Sequence, residues 1–407
     1  MNALLCLTIF SKLLIPMNLT QTNHLKAYGI AYHALERGQK VEWLLNYEGG
    51  SFLMESSKKN VEECLLAGVK AQEIDAGTEA AIRQTIEESN MNAVVLEKPP
   101  RIAVYVPPTA DPWDDAVRLA LDYAKIPYDM LWDPEVLAGK LKEYDWVHLH
   151  HEDFTGQFGK FYSSYYTEEW YQEQVRMNEE TARRLKFGSV RELKLAVAQE
   201  IRRYVLSGGF LFAMCSATDT YDMALAAAAT DIVDRIFDAT PVDPDWNTKL
   251  DFNPTFAFEN FTPVTDPYIY EHSDIDVSLQ AFDRGEETVF SLFDFSTKFD
   301  PVPSMLVQNH VAYVKEFLGQ NTGFNRQFLK RDVLILGEVK GSEEVKYIHG
   351  NRGDGTFTFF GGHDPEDYQH RVGDPATMLE LYPSSPGYRL ILNNVLFPAA
   401  EKKPLKT

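Results

Sequence analysis

The stretch that decides the fold reads Gly208-Gly209-Phe210-Leu211-Phe212-Ala213-Met214-Cys215. Five apolar residues follow a pair of glycines, a pattern typical of a short strand that is buried on both faces. A helical pattern follows closely, at residues 222–229. A buried strand that passes directly into a helix is part of a βαβ arrangement, so this stretch predicts a parallel sheet covered by helices.

The same alternation of strand and helix extends along most of the chain. We predict strands at residues 12–17, 40–46, 69–74, 102–106, 128–132, 145–150, 208–214, 332–336, 345–348 and 356–360. We predict helices at residues 23–37, 58–67, 78–89, 111–124, 134–141, 168–186, 190–207, 222–229 and 387–396. The predicted fold class is therefore α/β.

The segment Lys98-Pro99-Pro100 marks a boundary, because two prolines end whatever element precedes them. We therefore expect an N-terminal α/β unit at residues 12–98. A core domain is expected to comprise residues 99–240 and 322–398. Residues 241–321 are rich in proline, aspartate and aromatic residues and contain short β-like pieces at 288–295 and 304–308, so we interpret them as a β-rich insertion.

The composition excludes several classes of protein. Of the 407 residues, 60 are acidic and 39 are basic, giving a net charge of −21. Such a surface repels phosphate backbones, so we expect a small-molecule ligand and no nucleic-acid partner. The three cysteines form an odd count and cannot make a disulfide framework. Nothing in the sequence indicates a cofactor or an oligomeric state.

The first ten residues are apolar, but the run is too short to span a membrane. It also lacks the basic segment that opens a signal peptide. We therefore expect no membrane span. A cytoplasmic location is favoured, with export as the alternative if residues 1–11 are a degenerate signal peptide. The tail at 401–407 is expected to be disordered.

Reactive side chains follow three predicted strands, where open parallel sheets carry their sites. The three segments are His148-Leu149-His150-His151-Glu152-Asp153, Cys215-Ser216-Ala217-Thr218-Asp219 and Gly361-Gly362-His363-Asp364-Pro365-Glu366-Asp367. A cysteine between a strand and a helix lies at a helix N-terminus, which lowers the pKa of its thiol. A histidine from another strand end, His363, is placed to activate it. Purely structural roles remain open as alternatives to catalysis: Cys215 as a small buried residue and Asp219 as a helix cap.

The histidines of the first segment allow a further prediction. If the strand reaches His150 and His151, the two side chains point to opposite faces, so at most one enters a shared cleft. The residue types in 148–153 are those of metal ligands, but their spacing matches no metal signature. We therefore expect no metal site, although a metal-dependent alternative stays open.

Two of these stretches resemble the trehalose-utilisation (ThuA-like) proteins of the class I glutamine-amidotransferase-like superfamily. The resemblance is carried by the strand and turn at 208–220, by Gly355-Thr356-Phe357-Thr358-Phe359-Phe360-Gly361-Gly362-His363-Asp364-Pro365 and by the closing segment 388–400. It covers roughly residues 101–230 and 330–398. It implies a flavodoxin-like parallel sheet between helices, with the N-terminal unit and the insertion as additions.

The chain departs from these patterns in specific places. ThuA-like proteins have histidine at the position of Cys215, and amidotransferases flank their cysteine with glycines where this chain has Ala213 and Ala217. Similar chains are sometimes labelled asparagine synthetase B. That activity is not supported, because Asn2 stands where those enzymes need cysteine and no S-G-G-x-D-S loop for ATP is present.

The first functional hypothesis is a cysteine-dependent hydrolase or transferase acting on a small polar or carbohydrate-derived molecule. In it Cys215 is the nucleophile, His363 is the base, and Asp364 or Glu366 orients the histidine. The predicted substrate-binding residues are His150, His151, Glu152, Ser216, Asp219 and Tyr165. The alternatives are a non-catalytic sugar or small-ligand binding protein, which would use the aromatic residues near Tyr165, and a metal-dependent lyase or isomerase.

Overall fold

The structure is a computed structural model that describes residues 12–108, 114–300 and 303–401. The strands are β1 (Lys12–Ile15), β2 (Val41–Leu45), β3 (Ser51–Glu55), β4 (Gln72–Ile74), β5 (Asn92–Leu96), β6 (Ile102–Tyr105), β7 (Asp129–Leu131), β8 (Trp146–Leu149), β9 (Phe210–Met214), β10 (Val289–Leu292), β11 (Tyr313–Lys315), β12 (Phe324–Asn325), β13 (Leu334–Glu338), β14 (Glu344–Arg352) and β15 (Gly355–Phe360). The helices are α1 (His24–Glu36), α2 (Lys58–Ala67), α3 (Ala76–Glu88), α4 (Ala116–Ala124), α5 (Asp133–Leu137), α6 (Tyr162–Tyr165), α7 (Glu169–Arg184), α8 (Val190–Leu206), α9 (Ala217–Ala226), α10 (Arg235–Asp238), α11 (Ser278–Arg284) and α12 (Pro386–Leu396).

The N-terminal unit, residues 12–98, forms a five-stranded sheet in the order β4-β1-β3-β2-β5. Every pairing in this sheet is antiparallel. The strands β3 and β5 are not predicted by the sequence pattern. Both are short strands that follow turns, and they become strands by pairing with β2, which carries the apolar pattern.

The second sheet has ten strands, of which β7-β6-β8-β9-β15 pair in parallel. In chain order, these five strands are arranged 2-1-3-4-5. The α/β prediction is confirmed. Alternate residues of β9 pack into different layers, with Phe210, Phe212 and Met214 in one and Leu211 and Ala213 in the other, so the strand is buried on both faces.

The insertion at 241–321 is not a separate layer. Its strands β10 and β11 extend the second sheet by antiparallel pairing beyond β13. The β-like piece predicted at 304–308 is instead a short 3₁₀ turn at Pro303–Met305.

Of the helix predicted at 111–124, the structure describes α4, which begins at Ala116. Predictions for residues 1–11 and 402–407 lie outside the described residues, within which no helix is long and apolar enough to cross a membrane.

The two sheets are joined by helix packing and by one buried cation. Helix α1 contacts both α4 and α12. Arg389 on α12 is fully buried. It donates hydrogen bonds to the carbonyl of Met17 at 3.1 Å, to the Tyr28 hydroxyl at 2.9 Å and to the carbonyl of Gly49. All three acceptors belong to the N-terminal unit, so this side chain ties the unit to the core.

A close approach of α1 to α4 explains a glycine within α1. A Cβ atom added at Gly29 would lie 1.9 Å from the carbonyl oxygen of Ala124. We expect Gly29→Ala to lower the free energy of unfolding by about 1–3 kcal/mol, because the extra methyl overpacks this contact. Urea unfolding followed by circular dichroism measures the change.

The matched control is Gly77→Ala in α3, where the added Cβ meets only a side-chain oxygen of Asp75 at 3.5 Å. There the same substitution should raise stability by about 0.4–1 kcal/mol, because alanine loses less backbone entropy. Equal stability of Gly29→Ala and wild type would contradict the close packing of α1 on α4.

Candidate functional site

The candidate site lies at the carboxyl ends of the parallel strands. Ligands of open α/β sheets bind where the strand order reverses, and here that point lies between β6 and β8. The turns after β8, β9 and β15 meet there. The N–H of Ala217 donates to the carbonyl of His150 at 3.2 Å, and the N–H of Cys215 donates to the carbonyl of Gly362 at 3.2 Å. Sequence positions far apart are thereby fixed side by side.

Three histidines converge at this point. One nitrogen from each of His150, His151 and His363 lies within 4.8 Å of the other two. Nε2 of His150 and Nδ1 of His363 are 3.2 Å apart. The strand β8 ends at Leu149 and does not reach His150 and His151. The condition for separating their side chains is therefore not met, and both residues contribute a nitrogen to the cluster.

Asp114 faces the same histidines and was not predicted as a site residue. Its carboxylate oxygens lie 3.8 Å from Nε2 of His363, 3.7 Å from Nε2 of His151 and 3.3 Å from Nε2 of His370. The other nitrogen of His151, Nδ1, is buried and has no hydrogen-bond partner among the described residues. The side chain of Asp114 is 40% exposed, so the cluster reaches the protein surface here.

Asp115 lies deeper and contacts a different pair of rings. Its Oδ1 atom is 3.6 Å from Nδ1 of His150 and 3.4 Å from Nε2 of His148. Both aspartates lie at the start of α4, where sequence reasoning assigned only a helix start. The signal that could have identified them is the position of this segment after β6, a strand whose end borders the switch point.

The protonation of the cluster follows from burial and from these acids. Burial and the neighbouring histidines hold the pKa values of His150 and His363 well below the usual range. Burial opposes the charged form of His151 and His370 as well, but the neighbouring acids together raise both pKa values. For His151 these acids are Asp114, Glu152 and Asp115, and for His370 they are Asp114 and Asp367. Burial alone would raise the pKa of Asp114, whereas the surrounding histidines lower it to about 2.

Cys215 occupies the turn between β9 and α9 with a φ angle of 48°. Positive φ is uncommon for a residue with a Cβ atom and belongs to neither regular strand nor right-handed helix geometry. The sulfur is buried and accepts a hydrogen bond from the N–H of Gln320 at 3.3 Å. The expectation that the helix N-terminus lowers the pKa of this thiol was wrong, because burial raises it to about 11.

The structure does not pair Cys215 with its predicted base. Both ring nitrogens of His363 face other groups, Nδ1 towards His150 and Nε2 towards Asp114. Within the described part of the chain, no hydrogen bond joins His363 to the sulfur. The cysteine and the histidine belong to neighbouring turns, but the contact needed for proton transfer between them is not formed.

Two predicted binding residues support the histidine turn. The hydroxyl of Ser216 donates to the carbonyl of His151 at 3.0 Å. Glu152 accepts the N–H of His150 on Oε2 at 2.9 Å, while its Oε1 is buried without a hydrogen-bond partner among the described residues. Glu152 therefore holds the histidine turn with one of its oxygens.

Among the described residues, no hydrogen bond or ion pair joins the other predicted residues to His150, His151 or His363. Asp364 accepts the N–H of Glu366 at 2.9 Å, and the described ion pairs join neither residue to His363. Asp219 is buried in α9 and accepts the Ser273 hydroxyl at 3.3 Å. Tyr165 packs edge-on with Phe161 in an aromatic group on α6 and its flanks. The acid beside His363 is therefore Asp114.

The loop at 317–322 covers the turn that carries His363. A Cβ atom added at Gly362, where φ is 93°, would lie 2.5 Å from the ring of Phe317. The buried ammonium of Lys346 holds this loop by donating to the carbonyls of Phe317 at 2.5 Å and Thr322 at 2.7 Å, and it pairs with Glu316 at 2.5 Å. The glycine before His363 is thus required by close packing.

No protein-family model matches the chain, and no curated protein matches it. A cytoplasmic protein from Salmonella typhimurium is similar in structure, with 11% identity, a TM-score of 0.36 and coverage of 74% of this chain and 100% of that one. A second, from Salmonella typhimurium LT2, has 11% identity, a TM-score of 0.34 and coverage of 74% and 100%. Gan42B, a GH42 beta-galactosidase from G. stearothermophilus, has 10% identity, a TM-score of 0.26 and coverage of 66% and 28%. At these values the similarities carry no argument about function.

The burial of Cys215 predicts low reactivity in the native protein. At pH 7.5 a thiol of pKa about 11 holds roughly 300-fold less thiolate than a free thiol of pKa about 8.5. Iodoacetamide should therefore label Cys215 slowly in native protein and quickly in guanidinium, as measured by peptide mass spectrometry. Cys64, buried with a pKa raised to about 12, is the internal comparison and should behave alike. Rapid native labelling of Cys215 alone would contradict this result.

Proposed function

We propose that the chain is a metal-dependent enzyme, of the lyase or isomerase class, that acts on a small polar molecule. The proposed metal ligands are His150, His151 and His363. The observation that carries the proposal is the distance of 3.2 Å between the facing ring nitrogens of His150 and His363. This replaces the expectation from spacing alone that no metal binds. Spacing could not reveal the site because His363 comes from the far end of the sequence.

The protonation of the facing rings supports a cation between them. A neutral imidazole carries hydrogen on only one nitrogen. Asp115 lies beside the outer nitrogen of His150, and Asp114 lies beside the outer nitrogen of His363. These carboxylates lie 3.6 Å and 3.8 Å from the outer nitrogens, beyond hydrogen-bond distance, and their negative charge favours hydrogen on those nitrogens. The facing nitrogens are within hydrogen-bond distance of each other, and with hydrogen on both outer nitrogens both would be free to bind one metal ion.

The spacing of the rings fits a transition-metal ion. Zn–N bonds are about 2.0–2.1 Å long, which places two ligands of one tetrahedral ion roughly 3.3–3.4 Å apart. Imidazole nitrogens suit zinc, iron, nickel and copper, and three protein ligands leave a position for water or substrate. A divalent ion held by these residues would supply a Lewis acid that polarises a substrate oxygen.

The chain itself supplies the proton transfer in this proposal. Glu152 lies in the histidine turn, and its Oε1 has no hydrogen-bond partner among the described residues. We assign it as the base that takes a proton from the carbon adjacent to the carbonyl group of a hydroxycarbonyl substrate. The C–H bond breaks, an O–H bond forms on Glu152, and the electron pair of the C–H bond forms a carbon–carbon double bond as the carbonyl oxygen takes up the negative charge. The proton on Glu152 is then returned to the former carbonyl carbon, while the hydroxyl proton of the first carbon passes to the former carbonyl oxygen.

We also propose that the second sheet is the flavodoxin-like core of a ThuA-like protein. The strand order 2-1-3-4-5 supports this assignment, because it is the order of flavodoxin-like sheets. The location of the histidines beside the switch point supports a small-molecule ligand at this edge. Ala213 and Ala217 set the chain apart from amidotransferases, whose cysteine is flanked by glycines, while Cys215 itself departs from the histidine of ThuA-like proteins.

A second candidate function is a cysteine-dependent hydrolase or transferase. Its supporting observation is the positive φ of Cys215 in a strand–helix turn, the geometry of a nucleophile elbow. In that case Cys215→Ser abolishes turnover and leaves metal content unchanged. In the metal-dependent case, Cys215→Ser retains turnover.

We expect the purified chain, stripped with a chelator and then titrated with Zn²⁺ in a calorimeter, to bind one ion at the histidine site. His150→Ala, His151→Ala and His363→Ala should each weaken binding at least about 100-fold, because each removes a direct ligand. Loading should also raise the thermal midpoint, since a ligand at 100 times its Kd adds about 2.7 kcal/mol to stability.

The control is His33→Ala, which removes a histidine on α1 that pairs with Glu63 away from the histidine cluster. Its zinc affinity should equal that of wild type. Absence of zinc binding by wild type, or unchanged affinity in His150→Ala and His363→Ala, would refute the proposed metal site.

A further inference from the structure

We infer that Asp115 is the positioning residue of the metal centre, fixing both the tautomer and the location of His150. This inference rests on the proposed function. It concerns a residue that contacts no substrate or metal directly and acts through the ring beside it. The observations that carry it are the contacts of a single oxygen atom, Oδ1 of Asp115.

This oxygen caps the N-terminus of α4. It accepts the N–H of Val117 at 2.8 Å and the N–H of Arg118 at 3.1 Å, so Asp115 is the N-cap of the helix. The side chain is only 3% exposed. A capping carboxylate held by two backbone donors has little freedom to move, and its position is set by the helix.

The same oxygen faces two histidines. Nδ1 of His150 lies at 3.6 Å and Nε2 of His148 at 3.4 Å. Nδ1 of His148 is 3.1 Å from the carbonyl oxygen of Phe212, so both nitrogens of that ring face oxygen acceptors. The His148 ring also packs against Trp146 and Phe212, with ring centroids 5.9 Å and 5.6 Å away, which restricts its ring plane. Asp115 is therefore held from one side by α4 and from the other by His148.

This arrangement determines which nitrogen of His150 is available to a metal. Oδ1 of Asp115 lies 3.6 Å from Nδ1, beyond hydrogen-bond distance, and its negative charge favours hydrogen on Nδ1, which leaves Nε2 bare. Nε2 is the atom that lies 3.2 Å from His363. A carboxylate behind a ligand histidine also orients the ring, and loss of such a partner typically costs about 10–100-fold in metal affinity.

Through the packing of α4, Asp115 is also connected to other parts of the fold. Helix α4 packs against α1 of the N-terminal unit and against α12. Asp115 therefore connects the histidine turn after β8 with α4, which packs on α1 and α12. Neither α1 nor α12 carries a proposed metal ligand. A purely structural cap would influence stability alone, whereas a positioning residue also changes metal affinity.

The test compares Asp115→Asn with Asp75→Asn. Asparagine caps helices as well as aspartate, so Asp115→Asn keeps the cap while removing the charge beside His150. Asp75 is the N-cap of α3, with its Oδ1 accepting the N–H of Thr78 at 2.8 Å, and it is exposed. We expect Asp115→Asn to weaken Zn²⁺ binding about 10–100-fold by calorimetry and Asp75→Asn to leave it unchanged.

A second measurement uses the wild-type protein and does not depend on the variant folding. Long-range ¹⁵N–¹H spectra of the zinc-loaded protein, with His150 assigned from a His150→Gln sample, should show hydrogen on Nδ1. Hydrogen on Nε2 would overturn the inference. A lower thermal midpoint of Asp115→Asn with unchanged zinc affinity would leave only the capping role and would also overturn it. Failure of wild type to bind zinc refutes the proposed function, and this inference falls with it.

Discussion

Parallel pairing of β8, β9 and β15 sets the level at which three distant parts of the chain leave the sheet. Leu149 lies opposite Ala213, and Met214 lies opposite Phe360, so the three strands end in step. The turns that follow are then linked by hydrogen bonds between their backbones. The distance between the histidines is therefore set by the sheet, whose pairing is far less variable than a surface loop.

The rings of the site are held by packing as well as by charge. His363 is stacked on His370 with centroids 3.8 Å apart, and His150 meets His363 edge-on at 4.3 Å. Acids stand behind the rings, and aromatic neighbours fix their planes. A site whose side chains are held by such a supporting shell needs little rearrangement when a ligand arrives. The acids in the same shell also offset part of the cost of burying so many ionisable rings together.

Sequence reasoning located the strand ends but not every group that meets there. The apolar run before Cys215 predicted β9 because burial on both faces leaves a continuous pattern. His150, His151 and His363 were found because each follows such a strand. Asp114 and Asp115 were missed, since an aspartate near a helix start is ordinarily a cap and its second role depends on a histidine from another strand. Short strands such as β3 and β5 were missed because pairing, rather than local pattern, creates them.

The buried guanidinium of Arg389 has a consequence for how the protein unfolds. Its acceptors in the N-terminal unit are uncharged oxygens, and the ion pairs of the described residues do not include it. If the N-terminal unit alone came apart, this guanidinium would lose three hydrogen bonds at once, and the faces of α4 and α12 that α1 covers would be exposed to water. Exposing apolar surface costs about 25 cal/mol per Å². Partial opening is thereby disfavoured, and the two sheets are expected to melt in one cooperative transition rather than in sequence.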